Sequence, residues 1–151
     1  MLNTIGYEGA SLEDFIQTLE EANVEVLLDI RDRAQSRKKG FSKTALSNAL
    51  QNHGIEYVHL KELGDPKEGR LAARSGNWDE FDRIYRDVMA SQEAIAALEY
   101  IRGISENTVA CLLCYERDHK TCHRKYVSDA IDLQTGTKTR HLGVRRYASA
   151  A

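Results

Sequence analysis

Short apolar runs alternate with amphipathic stretches along this chain. The runs have the length of strands and read LNTIG, VEVLLDI, GIEYVHL and TVACLLC in chain order. After Ser11, which suits the N-cap position of a helix, apolar residues recur with helical spacing at Leu12, Phe15, Ile16 and Leu19. This alternation predicts an α/β fold. In such a fold a mainly parallel sheet is covered by helices on both faces, as in three-layer Rossmann-like domains.

The remaining elements follow from the same pattern. Helices are predicted after Ser42, near residues 78–90 and 92–102, and from about Cys122 with Thr121 as N-cap, and a short strand is predicted near residues 139–142. The segment 61–77 is polar, holds the only proline and lacks a helical period, so a long functional loop is predicted there. A length of 151 residues, 42% of them hydrophobic, fits one domain over residues 1–151.

Polar clusters stand where the predicted strands end. They lie at residues 6–9, at 29–31, at His59 and at 114–124. Ligands of parallel α/β sheets bind outside the carboxyl ends of the strands. We therefore expect the four clusters to meet on one rim of the sheet.

Charge is distributed unevenly along the chain. The net charge of −2 gives no global case for nucleic acid or an anionic membrane as partner. However, residues 1–30 contain seven acidic residues and no Lys or Arg, whereas residues 31–43 contain six basic residues and one acidic residue. This cationic loop is by default a solvated face. Its interleaved Ser36 and Phe41 also suit phosphate contact and base stacking.

The chain contains three cysteines, and it has neither a signal-peptide pattern nor an apolar run of membrane-spanning length. The odd number argues against a disulfide framework. We therefore expect reduced thiols in a cytoplasmic protein with no membrane partner.

The stretch CLLCYERDHKTCHRKYV (residues 111–127) carries the densest set of reactive side chains, and a metal site is its first interpretation. Structural zinc sites use closely spaced cysteine pairs, whereas seven residues separate Cys114 from Cys122. The adjacent Cys122 and His123 are also expected to point in different directions. On this spacing no metal and no cofactor are expected, although the alternative stays open.

Two other interpretations concern an anion and a nucleophile. Cationic His123 and Arg124 near a helix start make sense beside a negative group, which is either a bound anion or a carboxylate of the protein. Cys122 beside them is where the pKa of a thiol should fall. Glu116, one residue past a buried strand, suits a general base, with an ordinary loop ion pair as the alternative. The Cys-x5-Arg loop of thiol phosphatases fits neither Cys114 nor Cys122.

Four stretches also occur together in a known family. TIGYEG, LLDIRD with the following SRKKGFSK, GIEYVHLKELGDPKE and LLCYERDHKTCHR strongly resemble the DUF488 family of small proteins of unknown function, from Leu2 to about Leu142. The resemblance implies a compact α/β fold and leaves the activity open. Where the family commonly has proline, this chain has Ala34, so a less rigid loop is expected here.

The leading hypothesis is an enzyme or binding protein for an anionic, phosphate-bearing ligand, such as a nucleotide or a nucleic-acid component, with glycosidic cleavage or group transfer as its chemistry. The residues assigned to catalysis are Asp29, His59, Glu116, Cys122 and His123. The residues assigned to substrate binding are Arg31, Ser36, Arg37, Phe41, Tyr57, Cys114 and Arg124. The alternatives are a nucleic-acid-binding or regulatory module without catalysis, and a protein that responds to metal or to thiol redox state.

Overall fold

The computed structural model describes residues 1–147. The strands within them are β1 (Leu2–Gly6), β2 (Val26–Asp29), β3 (Glu56–His59), β4 (Ala110–Cys114) and β5 (Arg140–Leu142). The α-helices are α1 (Leu12–Glu21), α2 (Lys43–Asn52), α3 (Lys67–Arg74), α4 (Trp78–Met89), α5 (Gln92–Asn107) and α6 (Arg124–Thr135). Single 3-10 turns lie at Lys61–Leu63 and His119–Thr121.

The five strands form one sheet in the order β3-β2-β4-β1-β5, and every neighbouring pair is parallel. The central strand β4, with the sequence ACLLC, is buried at all of its positions. A continuous apolar run is what a strand covered on both faces requires. The predicted α/β class with a parallel sheet is therefore confirmed.

Each face of the sheet carries its own hydrophobic core, because successive strand residues point to opposite sides. Leu28 and Leu112 pack on the face covered by α4, α5 and α6. Leu27 and Leu113 pack on the other face, against α1 and α2. Helix α1 begins as predicted, since the Ser11 hydroxyl accepts a hydrogen bond from the backbone N–H of Asp14 at 3.1 Å. The layers are thus helices, sheet and helices.

The prediction of a long loop over residues 61–77 is wrong. This segment forms a 3-10 turn and the helix α3, which Pro66 precedes at the N-cap position. The buried residues of α3 are Gly69 and Ala72, which are too small to leave a visible apolar stripe in the sequence. Because the segment is helical, Arg70 and Arg74 lie one turn apart on α3, next to the rim of the sheet.

The predicted start of the last helix is also wrong. Thr121 ends the second 3-10 turn, and helix α6 begins only at Arg124 with His123 at the N-cap position. The Asp118 side chain accepts a hydrogen bond from the backbone N–H of Lys120 at 2.9 Å and so stabilises the turn. Cys122 therefore lies in extended backbone between the turn and the helix. None of the helices within residues 1–147 is long and apolar enough to cross a membrane.

Candidate functional site

A cavity of about 440 Å³ opens at the carboxyl edge of the sheet. Its walls come from the segments after β1, β2 and β4 and from α3 and α4. The lining residues are Tyr7, Arg31, Asp32, Arg33, Gln35, Asp65, Arg70, Ala73, Arg74, Phe81, Tyr115, Glu116, Thr121, Cys122 and His123. Of the residues predicted for the site, Arg31, Glu116, Cys122 and His123 thus share one cavity.

One thiol and an imidazole form the inner wall, and a second thiol, that of Cys114, lies directly behind them. Cys114, Cys122 and His123 are all buried, and their donor atoms lie within 4.8 Å of one another. Nδ1 of His123 is 3.7 Å from Sγ of Cys122 and 3.8 Å from Sγ of Cys114. The expectation that Cys122 and His123 point apart is wrong, because the extended backbone at Cys122 turns its side chain toward the imidazole before the helix begins.

The electrostatics of this wall favour an ion pair between thiol and imidazole. Burial alone raises the pKa of Cys122, but the hydrogen bond with Cys114 and the charges of His123 and Arg124 outweigh it, so the pKa falls well below its usual value. Burial lowers the pKa of His123, and the Cys122 thiolate and the Ile30 carbonyl raise it to a net value of about 9. Both shifts have the same origin, since each group stabilises the charged form of the other.

Two carboxyl groups line the same cavity. Burial and the neighbouring Cys122 raise the pKa of Glu116 to about 7. Burial raises the pKa of Asp65 to about 6, against the opposing charges of His123 and Arg70. Among the described residues, Oδ1 of Asp65 is buried without any hydrogen-bond partner. Asp65 therefore has one unpaired carboxyl oxygen, which packs against Gly69 of α3 next to the cavity.

The predicted catalytic residue Asp29 is fully buried and lies outside the cavity. It binds Arg31 through both carboxylate oxygens, with the shortest contact at 2.7 Å, and it accepts a hydrogen bond from the Tyr57 hydroxyl. Nη1 of Arg31 also donates to the carbonyl of Phe41 at 2.8 Å, and His59 Nε2 lies 2.7 Å from the Arg31 carbonyl oxygen. These residues together form a frame that fixes Arg31 at the cavity wall.

The cationic loop contributes less to the cavity than the sequence predicts. Phe41, interpreted as a stacking surface, is fully buried, with its ring stacked on Tyr7 at 4.5 Å. Ser36 accepts a hydrogen bond from the backbone N–H of Lys38 and lies outside the lining, as does the exposed Arg37. The binding roles assigned to these residues stay predictions.

Arg124 is fully buried and does not line the cavity. Its Nη1 donates to the Glu116 carbonyl at 2.6 Å and its Nη2 to the Arg117 carbonyl at 2.9 Å. Gly6 lies beneath the same loop, where an added Cβ would come within 1.7 Å of the Glu116 carbonyl oxygen. Arg124 therefore holds the loop that presents Glu116, and the anion role assigned to it stays a prediction.

The exposed side of the cavity is cationic. Arg33, after β2, and Arg74, at the end of α3, are both exposed, and neither takes part in an ion pair within residues 1–147. Arg70 is held in place by Asp32 at 3.2 Å and by the Asp65 carbonyl at 2.7 Å. Asp65, Arg70 and Arg74 were not among the predicted site residues, since a loop was predicted for their segment. The GDPKEGR stretch, with a proline before charged residues of helical propensity, was the available signal.

The arrangement combines groups that suit catalysis. A thiol, an imidazole and two carboxyl groups with raised pKa stand at the inner wall, and guanidinium groups stand at the exposed side of the cavity. Such a set can hold an anionic ligand and move protons at it. The two thiols and the imidazole are also a donor set for a metal ion.

Comparison with known proteins places the chain in a family. Searches of curated proteins and of solved structures gave no significant match. A family described as Domain of unknown function DUF488 matches residues 11–131, which span all of the cavity lining except Tyr7. With this match over most of its length, the chain belongs to the DUF488 family.

Proposed function

We propose that the cavity binds a phosphate-bearing small molecule, a nucleotide or another nucleic-acid component, and that its inner wall cleaves or transfers part of that ligand. One observation carries the proposal. The same cavity is lined by free guanidinium groups on its exposed side and by a thiol, an imidazole and a carboxyl group at its buried side. A site that only bound an anion would not need the thiol, the imidazole and the carboxyl group.

The guanidinium groups are suited to a phosphate. Arg33 and Arg74 approach the cavity from different elements and have no carboxylate partner within residues 1–147, so their donors are free for a ligand. A planar guanidinium binds two phosphate oxygens at once, which a lysine cannot do. Arg70, oriented by Asp32, adds a third cationic donor to the same space.

Aromatic side chains line the rest of the cavity. The Tyr7 and Tyr115 rings meet edge to face at 5.3 Å, and Phe81 closes the wall on the side of α4. Tyr7 and Phe81 are buried and the Tyr7 ring already stacks on Phe41, so the exposed Tyr115 ring is the one that can accept the plane of a base or the apolar face of a sugar. The volume of about 440 Å³ lies within the range of small-molecule sites, about 300–1,000 Å³. A mononucleotide or a sugar phosphate is therefore the favoured class of ligand.

Calorimetric titration tests the binding half of the proposal. A nucleoside monophosphate should bind, whereas the same nucleoside without phosphate should bind at least tenfold more weakly. Losing one charge-assisted contact costs about 1.5–3 kcal/mol, so Arg33→Gln and Arg74→Gln should each weaken phosphate binding by tenfold or more. Lys138→Gln, an exposed change just before β5 and outside the cavity lining, is the matched control. Equal affinity in all of these variants would contradict the proposal.

A second titration separates this proposal from the nucleic-acid-binding module. The loop also exposes Arg37, Lys38 and Lys39 outside the cavity, and these favour contact with a longer strand. If an oligonucleotide is the ligand, Arg37→Gln weakens its binding and high salt abolishes it. If a mononucleotide is the ligand, Arg37→Gln leaves binding unchanged.

The chemical half depends on the inner wall. Incubation with nucleotides and sugar phosphates, followed by analysis of the products, identifies any compound that the protein turns over. With that compound, Glu116→Gln and Cys122→Ser should each reduce kcat while the affinity for phosphate is kept. If both variants retain full activity, the proposed catalytic wall is wrong.

A further inference from the structure

Three soft or borderline metal donors converge behind the cavity. Nδ1 of His123 lies 3.7 Å from Sγ of Cys122 and 3.8 Å from Sγ of Cys114, and all three donors fit within 4.8 Å. Around a tetrahedral zinc ion, with Zn–S of about 2.3 Å and Zn–N of about 2.0 Å, ligand atoms stand about 3.5–3.8 Å apart. The separation between Nδ1 and Sγ of Cys122 therefore matches that of a zinc site. Sγ of Cys114 also lies 3.6 Å from Nε2, so the Cys114 side chain has to rotate toward Nδ1 when an ion binds.

The imidazole is oriented as a metal ligand would be. Nε2 of His123 lies 2.8 Å from the carbonyl oxygen of Ile30. A carbonyl only accepts, so Nε2 carries a hydrogen, and an ion that binds would displace the second proton of the imidazolium from Nδ1, on the side of the Cys122 thiol. Metal-binding histidines in proteins characteristically donate their second nitrogen to a backbone carbonyl or a carboxylate in this way.

The three thiols lie on different faces of the sheet: Cys114 and Cys122 share one face, and Cys111 lies on the other. Cys111 and Cys114 both belong to β4, but Cys111 packs in the core beneath α1 and α2, whereas Cys114 packs on the other face together with Cys122. All three thiols are free and buried. Two thiolates and one imidazole prefer zinc-class ions over magnesium or calcium.

The donor set is incomplete on the side of the cavity. Cys122 and His123 line the cavity, and Cys114 lies behind them. Asp65 also lines it and is only 8% exposed, and its oxygen Oδ1, which has no hydrogen-bond partner in residues 1–147, packs against Gly69 of α3. A water molecule, or the Asp65 carboxylate once its side chain rotates, can complete a tetrahedron from that side.

From this geometry we infer that Cys114, Cys122 and His123 bind one zinc-class divalent ion whose fourth position opens into the cavity beside Asp65. Three protein ligands and an open position are the composition of catalytic zinc sites, whereas structural sites use four protein ligands. The inference goes beyond the proposed function, since binding of the ion does not require the phosphate ligand.

Cobalt(II) titration of the full chain tests the site. The protein is stripped with a chelator under reducing conditions and titrated with Co²⁺, whose absorption reports its ligands. We expect saturation at one ion per chain, a thiolate-to-cobalt charge-transfer band and the intense visible bands of tetrahedral cobalt, all removed by Zn²⁺. No binding, or only the weak bands of six-coordinate cobalt, would overturn the inference.

Variants then assign the ligands. Cys114→Ser, Cys122→Ser and His123→Gln should each weaken Co²⁺ binding at least tenfold, and each of the two serine variants should also halve the charge-transfer intensity at saturation. Cys111→Ser is the matched control, because it changes an equally buried thiol of the same strand on the opposite face. If Cys111→Ser reduces binding as much as Cys114→Ser does, the assignment is wrong.

Two further variants keep the test decisive if the serine variants do not fold. Asp65→Asn should alter the visible bands and retain the charge-transfer band, since it changes the open side and leaves both thiols in place. An unchanged spectrum would remove Asp65 from the site. Arg33→Gln should bind Co²⁺ as the unaltered chain does, so failure of the phosphate proposal and failure of the metal site are seen in separate measurements.

Discussion

Replacing Arg124 with methionine distinguishes a structural role, support of the loop after β4, from a role as a ligand of a bound anion. The guanidinium is fully buried, and it donates to the carbonyls of Glu116 and Arg117 in the loop after β4. Methionine keeps most of the apolar stem and has no donor. The variant Arg124→Met therefore removes both hydrogen bonds with little change in packing.

The expected cost follows from these contacts. A hydrogen bond from a charged donor stabilises a fold by about 1.5–3 kcal/mol, so two of them amount to about 3–6 kcal/mol. Nε of Arg124 has no hydrogen-bond partner in residues 1–147. Removing this buried, unpaired donor recovers about 1 kcal/mol of the stability that is lost with the two hydrogen bonds. The net loss in the free energy of unfolding is about 2–5 kcal/mol, a large part of the about 5–15 kcal/mol of an ordinary domain.

Urea unfolding followed by circular dichroism measures this loss. Arg33→Met is the matched control, because Arg33 is exposed at the same cavity, and its free energy of unfolding should stay within about 0.5 kcal/mol of the unaltered chain. Arg124→Lys should fall between the two, since one ammonium cannot span both carbonyls. If Arg124→Met is as stable as the control and instead loses phosphate binding, Arg124 is an anion ligand and its structural role is refuted.

Three other changes have expected outcomes. Gly6→Ala should destabilise the fold by about 3 kcal/mol or more in urea unfolding, because its Cβ would meet the Glu116 carbonyl oxygen at 1.7 Å; a stable variant would mean that the loop can move away freely. Asp29→Asn should cost about 3–5 kcal/mol, since it leaves the buried Arg31 without its charge partner, and a loss under 1 kcal/mol in thermal unfolding would contradict this. Burial and a neighbouring histidine lower the pKa of His141 to about 4, below its unfolded value near 6.5, so the folded state binds fewer protons between these limits. Stability should therefore fall as the pH drops from 6.5 to 4, and His141→Gln should flatten that part of the profile; an unchanged profile would exclude His141 as its cause.

The sequence predicted the sheet well because its strands are short apolar runs with abrupt polar ends. Asp29 and Arg31 at the end of β2 and Glu116 after β4 were expected on one rim, and the parallel register brings those strand ends together. What the pattern could not give was the partner of each side chain. Asp29 and Arg31 bind each other, which a rim position alone does not reveal.

The misses have physical causes. Helix α3 buries Gly69 and Ala72, so its inner face carries no large apolar residue, and its arginines were not expected at the cavity. A Cβ at Gly69 would also come within 1.9 Å of the free oxygen of Asp65, which explains why this position is small. The convergence of Cys122 and His123 depends on the 3-10 turn before them, and residue spacing carries no information on such a turn.

The strand order also constrains how the chain folds. Strand β1 has no partner among the next two strands: it pairs with β4 and β5, and Leu2 lies opposite Ala110. Until the chain through Cys114 is available, only the pair of β2 and β3 can form, and the amino-terminal strand stays an unpaired edge. Pairings this distant in sequence are slow to close. Chains that end before β4 should therefore aggregate rather than fold, and during synthesis the protein should complete its sheet only after β4 has been made.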